Sequence, residues 1–409
     1  MPTLSERLKS LGVGVGTQGL SSSARPARRF PIEQVVDGRI FDTVFGQSFV
    51  AEQHYPLEHR HGLTPLLLSA SLQKISAWLN IPSLASIHLT DFIFLDTETS
   101  GLAGGSGTLV FLIGVGRFDQ EGFHLAQYFL RDPLEEPAQL TGLLSYLSEF
   151  QGIVTYNGKA FDIPLLNSRF ILNGEASPFR EIVHLDLLPL ARRIWRDRLP
   201  SRSLGNIEQD ILGATRTEED VPGWLIPSMY FDFLRTGDAR PLRSVFYHNA
   251  MDVLAMAALL NHIANMLETP QPGAVQHGID LISLGKIFEG MGDFQTAAQC
   301  FADGLGCEIP DRNRREALLR WSLMEKRRQN LEKAIELWRM AANENDVQAL
   351  IELAKHSEHQ ARDVEQAIQW TRLAIELVQN SDLSIFEKQQ LLQELEHRLT
   401  RLERKTGLR

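Results

Sequence analysis

Between residues 89 and about 267 the spacing of apolar positions changes several times. DFIFLDTE is a continuous apolar run that ends in acid, LVFLIGVGRF is a second run and FHLAQYFL a third. Gly-rich or acidic turns separate them, and unbroken runs of this length between turns predict strands. LTGLLSYLSEF then shows helical spacing, and GIVTYNG reads as a short strand ending in a turn. FDIPLLNSRFILNG is helical again, with Gly174 as its stop. HLDLLPLARRIW runs from a strand edge into a helix, and VFYHNAMDVLAMAALLNHIANML predicts a strong amphipathic helix. Three strands followed by alternating helix and strand predict an α/β mixed sheet with flanking helices.

Both flanks differ from this middle segment. Residues 1–88 read as an N-terminal extension whose stretch GVGVGTQGLSSSARPARR is flexible by composition. A short apolar piece and the helix-like LTPLLLSASLQKISAWLN complete it. After the Pro/Gly linker TPQPGAVQH the pattern is almost purely helical and repeats itself. LGKIFEGMGDFQTAAQCFADGL aligns with LMEKRRQNLEKAIELWRMAAN and with LAKHSEHQARDVEQAIQWTRLAIEL. The anchor residues Ala297, Ala334 and Ala367 are 37 and 33 positions apart. The turn pairs Asp293-Phe294, Asn330-Leu331 and Asp363-Val364 keep the same spacing. A period of about 34 with small residues at helix crossings is the tetratricopeptide signature. The predicted organisation is an extension over 1–88, a sheet domain over 89–267 and an all-α, tetratricopeptide-like repeat domain over 277–405. SIFEKQQLLQELEHRLTRLERKTG is expected to be its capping helix.

Composition narrows the function. The 409 residues suit two or three domains, and 43% hydrophobic with 22% charged residues is ordinary globular usage. The net charge of −10 excludes a basic protein that coats nucleic acid. Two cysteines, Cys300 and Cys307, exclude a disulfide framework and a four-cysteine zinc site. No run of 18 apolar residues occurs, so no membrane span and no membrane partner is expected. The charged N-terminal stretch does not read as a secretion signal, and the cytoplasm is the expected location.

Three acidic elements stand out. Asp96 and Glu98 are two apart at the end of the first strand, so they share one face. Close carboxylates repel, and a shared cation is the usual reason to hold them together; a solvated acidic turn is the plainer alternative. Asp162 follows Asn157-Gly-Lys-Ala-Phe161 at a helix start, where it also suits a capping role. Asp252 sits on a largely apolar helix and needs a partner, with His248 one turn earlier on the same face. A His–Asp pair at that spacing also serves simply to stabilise a helix. Tyr247 precedes Asp252 by five residues and points away from that face.

Acid-x-acid at a strand end, Asn-x-x-x-Phe-Asp before a helix, and a late helical acid after Tyr-His form an ordered set. That order resembles the DEDD exonuclease superfamily of the ribonuclease-H-like fold. The likeness is close in DTETSGL and NGKAFDIPLL and extends through HLDLLPLAR, SRSLGNIEQDILG, VPGWLIP and YHNAMDVLAM. In detail it resembles the bacterial YprB-like group, some members of which also carry tetratricopeptide repeats. HYPLEHRHGLTPL is similar to that group's N-terminal extension. The likeness spans about residues 30–265, and the repeat likeness about 278–380.

The resemblance implies that Asp96, Glu98, Asp162 and Asp252 bind two divalent cations, Mg²⁺ or Mn²⁺. It implies a 3′→5′ exonuclease that hydrolyses single-stranded DNA or RNA by a two-metal mechanism. His248 would orient or deprotonate the attacking water. Asn157 and Phe161 would touch the terminal nucleotide, with Thr97, Thr99 and Tyr247 beside the substrate. The usual subclasses place Tyr four residues, or His five residues, before the last acid. This chain has His248 at minus four and Tyr247 at minus five, so either could activate water, and a helix beginning between them would favour Tyr247.

Other features rank below these. Gly101, Gly104, Gly105 and Gly107 loosely suggest a phosphate loop, but no Gly-Lys-Ser/Thr follows, and a hairpin turn fits better. Asp186 suits a structural strand-end role. His54, His59 and His61 beside Glu52 and Glu58 could form a further metal site. Arg192, Arg193, Arg196, Arg198 and Arg202 form either a solvated helix face or a track for substrate phosphates. Residues 89–276 hold 14 basic and 23 acidic residues, which favours a gripped single-stranded end over a long duplex footprint. The competing reading is a scaffold in which the repeats bind a protein partner and the nuclease-like domain is not catalytic.

Overall fold

The computed structural model describes residues 30–101, 107–147 and 150–406. Its centre is a seven-stranded sheet built from β1 (Arg39–Thr43), β2 (Gly46–Pro56), β3 (Phe92–Thr99), β4 (Val110–Phe118), β5 (Gly122–Phe129), β6 (Gly152–Thr155) and β7 (Val183–Asp186). The spatial order is β1-β2-β5-β4-β3-β6-β7. β1 through β3 pair antiparallel along that order, whereas β3–β6 and β6–β7 pair parallel. The three apolar runs are therefore central strands covered on both faces, which is why they lack polar alternation.

One face carries α2 (Glu136–Tyr146) and α3 (Asp162–Leu172), packed on Ile93, Leu95, Ile113 and Val115. The other face carries α4 (Leu187–Trp195), α5 (Leu204–Asp210), α6 (Ile226–Thr236) and the 27-residue α7 (Leu242–Glu268). Gly114 and Gly116 of β4 let α7 lie close: a Cβ at Gly116 would stand 2.9 Å from Val253 Cγ1. The expected amphipathic helix proves to be a core helix, buried around most of its circumference. By length and mean hydropathy (1.4) it could cross a membrane, yet 78% of its most apolar window is buried within the protein. It is apolar because it is enclosed by the sheet on one side and by α1 (Gln73–Leu79), α4, α5 and α6 on the others.

The N-terminal extension packs differently from the sequence reading. The extension is not separate from the sheet domain, because β1 and β2 add two strands to it through eight β2–β5 residue pairs. Its remainder is strapped across α7, where Asn261 accepts from the Ser69 amide at 2.9 Å and donates to Pro65 O at 3.0 Å. Such pairing depends on residues nearly 200 positions apart, which local spacing cannot reveal. Residues 1–29, including the whole Gly/Ser-rich stretch, lie outside the described residues, as do Gly104 and Gly105.

The C-terminal helices form hairpins: α8 (Gly278–Met291) with α9 (Phe294–Leu305), α10 (Asp311–Arg327) with α11 (Leu331–Asn343), and α12 (Val347–His356) with α13 (Val364–Gln379). α14 (Ile385–Lys405) closes the stack and begins with a Ser384–Glu387 capping box. Asp293, Asn330 and Asp363 are the N-cap residues of α9, α11 and α13. Ala297, Ala334 and Ala367 are each the fourth residue of those helices and fully buried.

The stack is not tethered by a loose linker. One apolar cluster runs from Phe94 through α7 to Phe288, Phe301, Trp321 and Trp338. At the junction Arg198 Nε donates to Asp280 Oδ1 at 3.0 Å, with Asp280 almost wholly buried. Removing one partner of a buried pair strands the other charge, at a cost of about 3 kcal/mol. Asp280→Ala is therefore expected to lower the urea midpoint markedly, whereas the equivalent change at the exposed Arg235–Asp232 pair should shift it little.

Candidate active site at the end of the central strand

Alternation along β3 places Asp96 and Glu98 on the same face as Phe92 and Phe94, toward α7. Thr97 points to the opposite face, where its hydroxyl donates to Asp162 Oδ1 at 2.5 Å. Asp162 is the first residue of α3, and Phe161, not Asp162, occupies the cap position. Asp252 reaches the cluster from α7. Four acids from three elements thus meet at the carboxyl end of the central strand.

The cost of this meeting is written in their acidities. Burial raises the Asp96 carboxyl well above the usual range, and Asp252, Glu98 and Asp162 raise it further; the Asn249 amide opposes them. Glu98 is raised well above its usual range by burial, then by Asp252 and Asp162, with Arg216 opposing. Asp162 is pushed up to about 6 by burial, against hydrogen bonds from Thr97 and from backbone N–H groups. A cluster that resists ionising is the donor set a hard divalent cation relieves, since carboxylate oxygens are the ligands such cations prefer.

The supporting residues are ones that sequence spacing did not single out. Asn249, fully buried on α7, donates from Nδ2 to Asp96 Oδ2 at 2.9 Å and accepts from Gln127 Nε2 at 2.9 Å. Gly114 makes room for it, because a Cβ there would lie 2.2 Å from Asn249 Oδ1. Arg216, from the polar segment after α5, binds Asp252 directly and Glu208 Oε2 at 2.6 Å. Glu208 in turn meets the buried His61 Nε2 at 2.7 Å. Asn249 does share Asp252's helix face at a spacing of three, a signal within reach of the sequence. Arg216 carried no local signal.

His248 lies beside Asp252, with Nε2 3.6 Å from Oδ2. Its Nδ1 is 2.8 Å from Asp220 Oδ1 and 3.2 Å from the Arg216 guanidinium. With a proton on Nδ1, donated to Asp220, the Nε2 lone pair is free on the side of Asp252; with Nδ1 accepting from Arg216, the proton sits on Nε2. α7 begins at Leu242, so no helix start falls between Tyr247 and His248. Tyr247 turns away, and its hydroxyl accepts from the Thr217 amide at 3.1 Å.

The acids open on two cavities. One of about 490 Å³ is lined by Asp96, Thr97, Thr99, Asn157, Phe161 and Asp162 among others. The second, about 520 Å³, is bounded by Arg216, Asp220, His248 and Asp252. Phe161 is 60% exposed at the first. Thr99 donates to Gly101 O at 3.0 Å. Asn157 sits in the left-handed region at φ 68°, and Asp186 accepts its amide at 2.7 Å together with those of Lys159 and Leu188. Asp186 thus clips the turn that presents Asp162 and caps α4, the structural role its position suggested.

The arginine run is divided by the fold. Arg198 pairs with Asp280, Arg196 with Asp197, and Arg193 lies over Trp78. Arg192 and Arg202 line a third cavity of about 500 Å³ that shares Tyr156 and Asn157 with the first. The histidine cluster is also divided: His61 is committed to Glu208, while His54 faces His124.

A family model described as the RNase_H superfamily matches residues 93–264, a span that contains all four acids. The protein YprB of Bacillus subtilis (strain 168) is 32% identical over 364 residues, which cover 87% of this chain and 86% of YprB. The chain belongs to the YprB family and carries an RNase_H superfamily domain. The mixed sheet with helices on both faces fits that fold. A solved structure of the family B DNA polymerase from the hyperthermophilic archaeon Pyrobaculum calidifontis aligns with a TM-score of 0.34 and 16% identity. That alignment covers 58% of this chain, which spans 29% of the polymerase chain.

Two outcomes follow for this YprB-family site. A carboxyl raised from 3.8 to about 6 in the folded state contributes stability that is present below pH 4 and lost as the pH rises through 6. With a chelator present, Asp162→Asn should therefore melt progressively higher than wild type as the pH is raised from about 4 to 7, with the gap smallest at pH 4. Gly114→Ala should displace Asn249 and destabilise the fold by about 1–3 kcal/mol in chemical denaturation.

Proposed function

We propose that this protein is a metal-dependent nuclease that hydrolyses phosphodiester bonds of single-stranded nucleic acid from the 3′ end. The observation that carries this reading is the convergence of Asp96, Glu98, Asp162 and Asp252 in a desolvated cleft, where burial, and for Asp96 and Glu98 also repulsion from the neighbouring acids, makes the first three weaker acids than usual. These acids fit two divalent cations, Mg²⁺ or Mn²⁺, which when bound supply charge stabilisation at the phosphate and a more acidic water.

The remaining groups have defined tasks. His248, held by Asp220 through Nδ1, is the base that takes a proton from the attacking water at Nε2. Arg216 orients Asp252 and balances part of the local negative charge. In the adjoining cavity the exposed Phe161 ring offers a stacking face to the terminal base, and Asn157, Thr97 and Thr99 supply polar edges. Arg192 and Arg202 flank the next cavity, where a backbone phosphate would follow. The preference for a single strand rests on the acidic balance of residues 89–276, and the 3′→5′ direction on the DEDD pattern of the acids. Tyr247, with its hydroxyl committed to Thr217, is assigned no contact with substrate.

The helical hairpins complete the proposal as a tetratricopeptide-like array for a protein partner, supported by the equivalent buried positions of Ala297, Ala334 and Ala367.

End-labelled single-stranded oligonucleotides of DNA and RNA, incubated with Mg²⁺ or Mn²⁺, test the reaction. Stepwise shortening from the 3′ end is expected, abolished by chelator. Asp96→Ala and Asp252→Asn should each lower the rate about a hundredfold or more, since the lost stabilisation is several kcal/mol. His248→Ala should leave Mn²⁺ binding intact while slowing turnover. Wild type without product, or Asp96→Ala with wild-type activity, overturns the reading in favour of a scaffold.

A further inference from the structure

A second group of metal-ligating side chains lies on the same sheet but away from the four acids. His54 of β2 and His124 of β5 stand directly opposite each other in antiparallel register, with ring centroids 4.5 Å apart. The β4–β5 turn brings Glu121 to them, and one ligand atom from each of His54, Glu121 and His124 lies within 4.8 Å of the others. Asp119, at the other side of the turn, places Oδ2 2.8 Å from His124 Nε2. That nitrogen is shut off from solvent yet makes no aligned hydrogen bond. Gly122 leaves the space the His54 ring fills, as a Cβ there would lie 2.8 Å from His54 Nε2. The site is at the other end of the strands from the acids, since His124 pairs across β4 with Arg117, and Arg117 with Ile93 at the start of β3.

We propose that His54, His124 and Glu121 form a separate site for a late first-row divalent ion, Zn²⁺ above all, with Asp119 beside the His124 ring. Two imidazoles with one carboxylate supply the mixed nitrogen and oxygen donors for three of the four positions that Zn²⁺ takes, water filling the fourth, whereas Mg²⁺ prefers oxygen alone. Arg117, paired across the strands with His124, would oppose a bound cation, but its guanidinium is drawn over the Tyr146 ring 4.8 Å away. An ion bound here pins the β4–β5 turn to β2, closing the end of the sheet that the extension built. Its role in this proposal is structural.

Zn²⁺ binding to the full chain, measured by equilibrium dialysis in a large excess of Mg²⁺, tests this. One Zn²⁺ is expected to remain bound in wild type and in Asp252→Asn, with a higher melting temperature when Zn²⁺ is added. His124→Ala and His54→Ala should weaken that binding at least tenfold and abolish the thermal shift, and Co²⁺ should give visible d–d absorption only in proteins that keep both histidines. Glu121→Gln, conservative and exposed, serves as the control for folding and should weaken binding in the same direction. No Zn²⁺ retained in wild type, or equal retention in the histidine variants, overturns the proposal. Retention lost in Asp252→Asn but kept in His124→Ala would place the ion at the acids and overturn it equally. Neither result bears on the nuclease reading, which is read from hydrolysis.

Discussion

Four carboxylates that repel one another are held at the end of one strand, and most of the surrounding architecture answers that repulsion. In water such groups would separate. Here Asp96 and Glu98 are fixed by β3, which pairs with β6 over Phe92–Phe94 and with β4 through both acids, so they cannot move apart without breaking that pairing. Asp252 is fixed by α7, and α7 is seated by two glycines on β4 and by the Asn249–Asp96 hydrogen bond. Asp162 is held from the opposite face of the sheet by Thr97. The scaffold sets the positions, and the groups respond by becoming weaker acids.

Charge balance is supplied by a chain of pairs that runs away from the cluster. Arg216 touches Asp252 and Glu208; Glu208 touches His61, which lies in a two-stranded ribbon (Arg60–His61 paired with Thr64–Pro65) beside α7. His248 is drawn into the same chain through Asp220. The segment before the sheet and the segment after α5 are thereby joined behind the acids, and each is needed to keep the other's charge paired. This explains why the N-terminal segment is folded onto the domain instead of trailing from it.

The C-terminal helices add an outer support. Helix α7 is apolar over most of its surface because the sheet covers one side and α1, α4, α5 and α6 cover the others. The hairpin stack reaches it through intermediaries, since α8 packs on α1 and α4. A change of packing in the stack would be passed to the acid-bearing helix through these packed helices.

Much of this was legible from residues alone. The three strand runs, the acid pair on one strand face, the turn before Asp162 and the spacing of His248 to Asp252 follow from local periodicity, because side-chain direction is set by the backbone repeat. The helical hairpins were legible for the same reason, with Asp293, Asn330 and Asp363 marking helix starts. What the tertiary structure alone decided was long-range. It paired β2 with β5, turned an apparently amphipathic helix into a buried one, and split the arginine and histidine runs among unrelated partners. It brought Arg216 to Asp252, and His124 to His54, across dozens of intervening residues. Such contacts are fixed by which surfaces pack together once loops have closed, and the spacing of residues along the chain carries no trace of them.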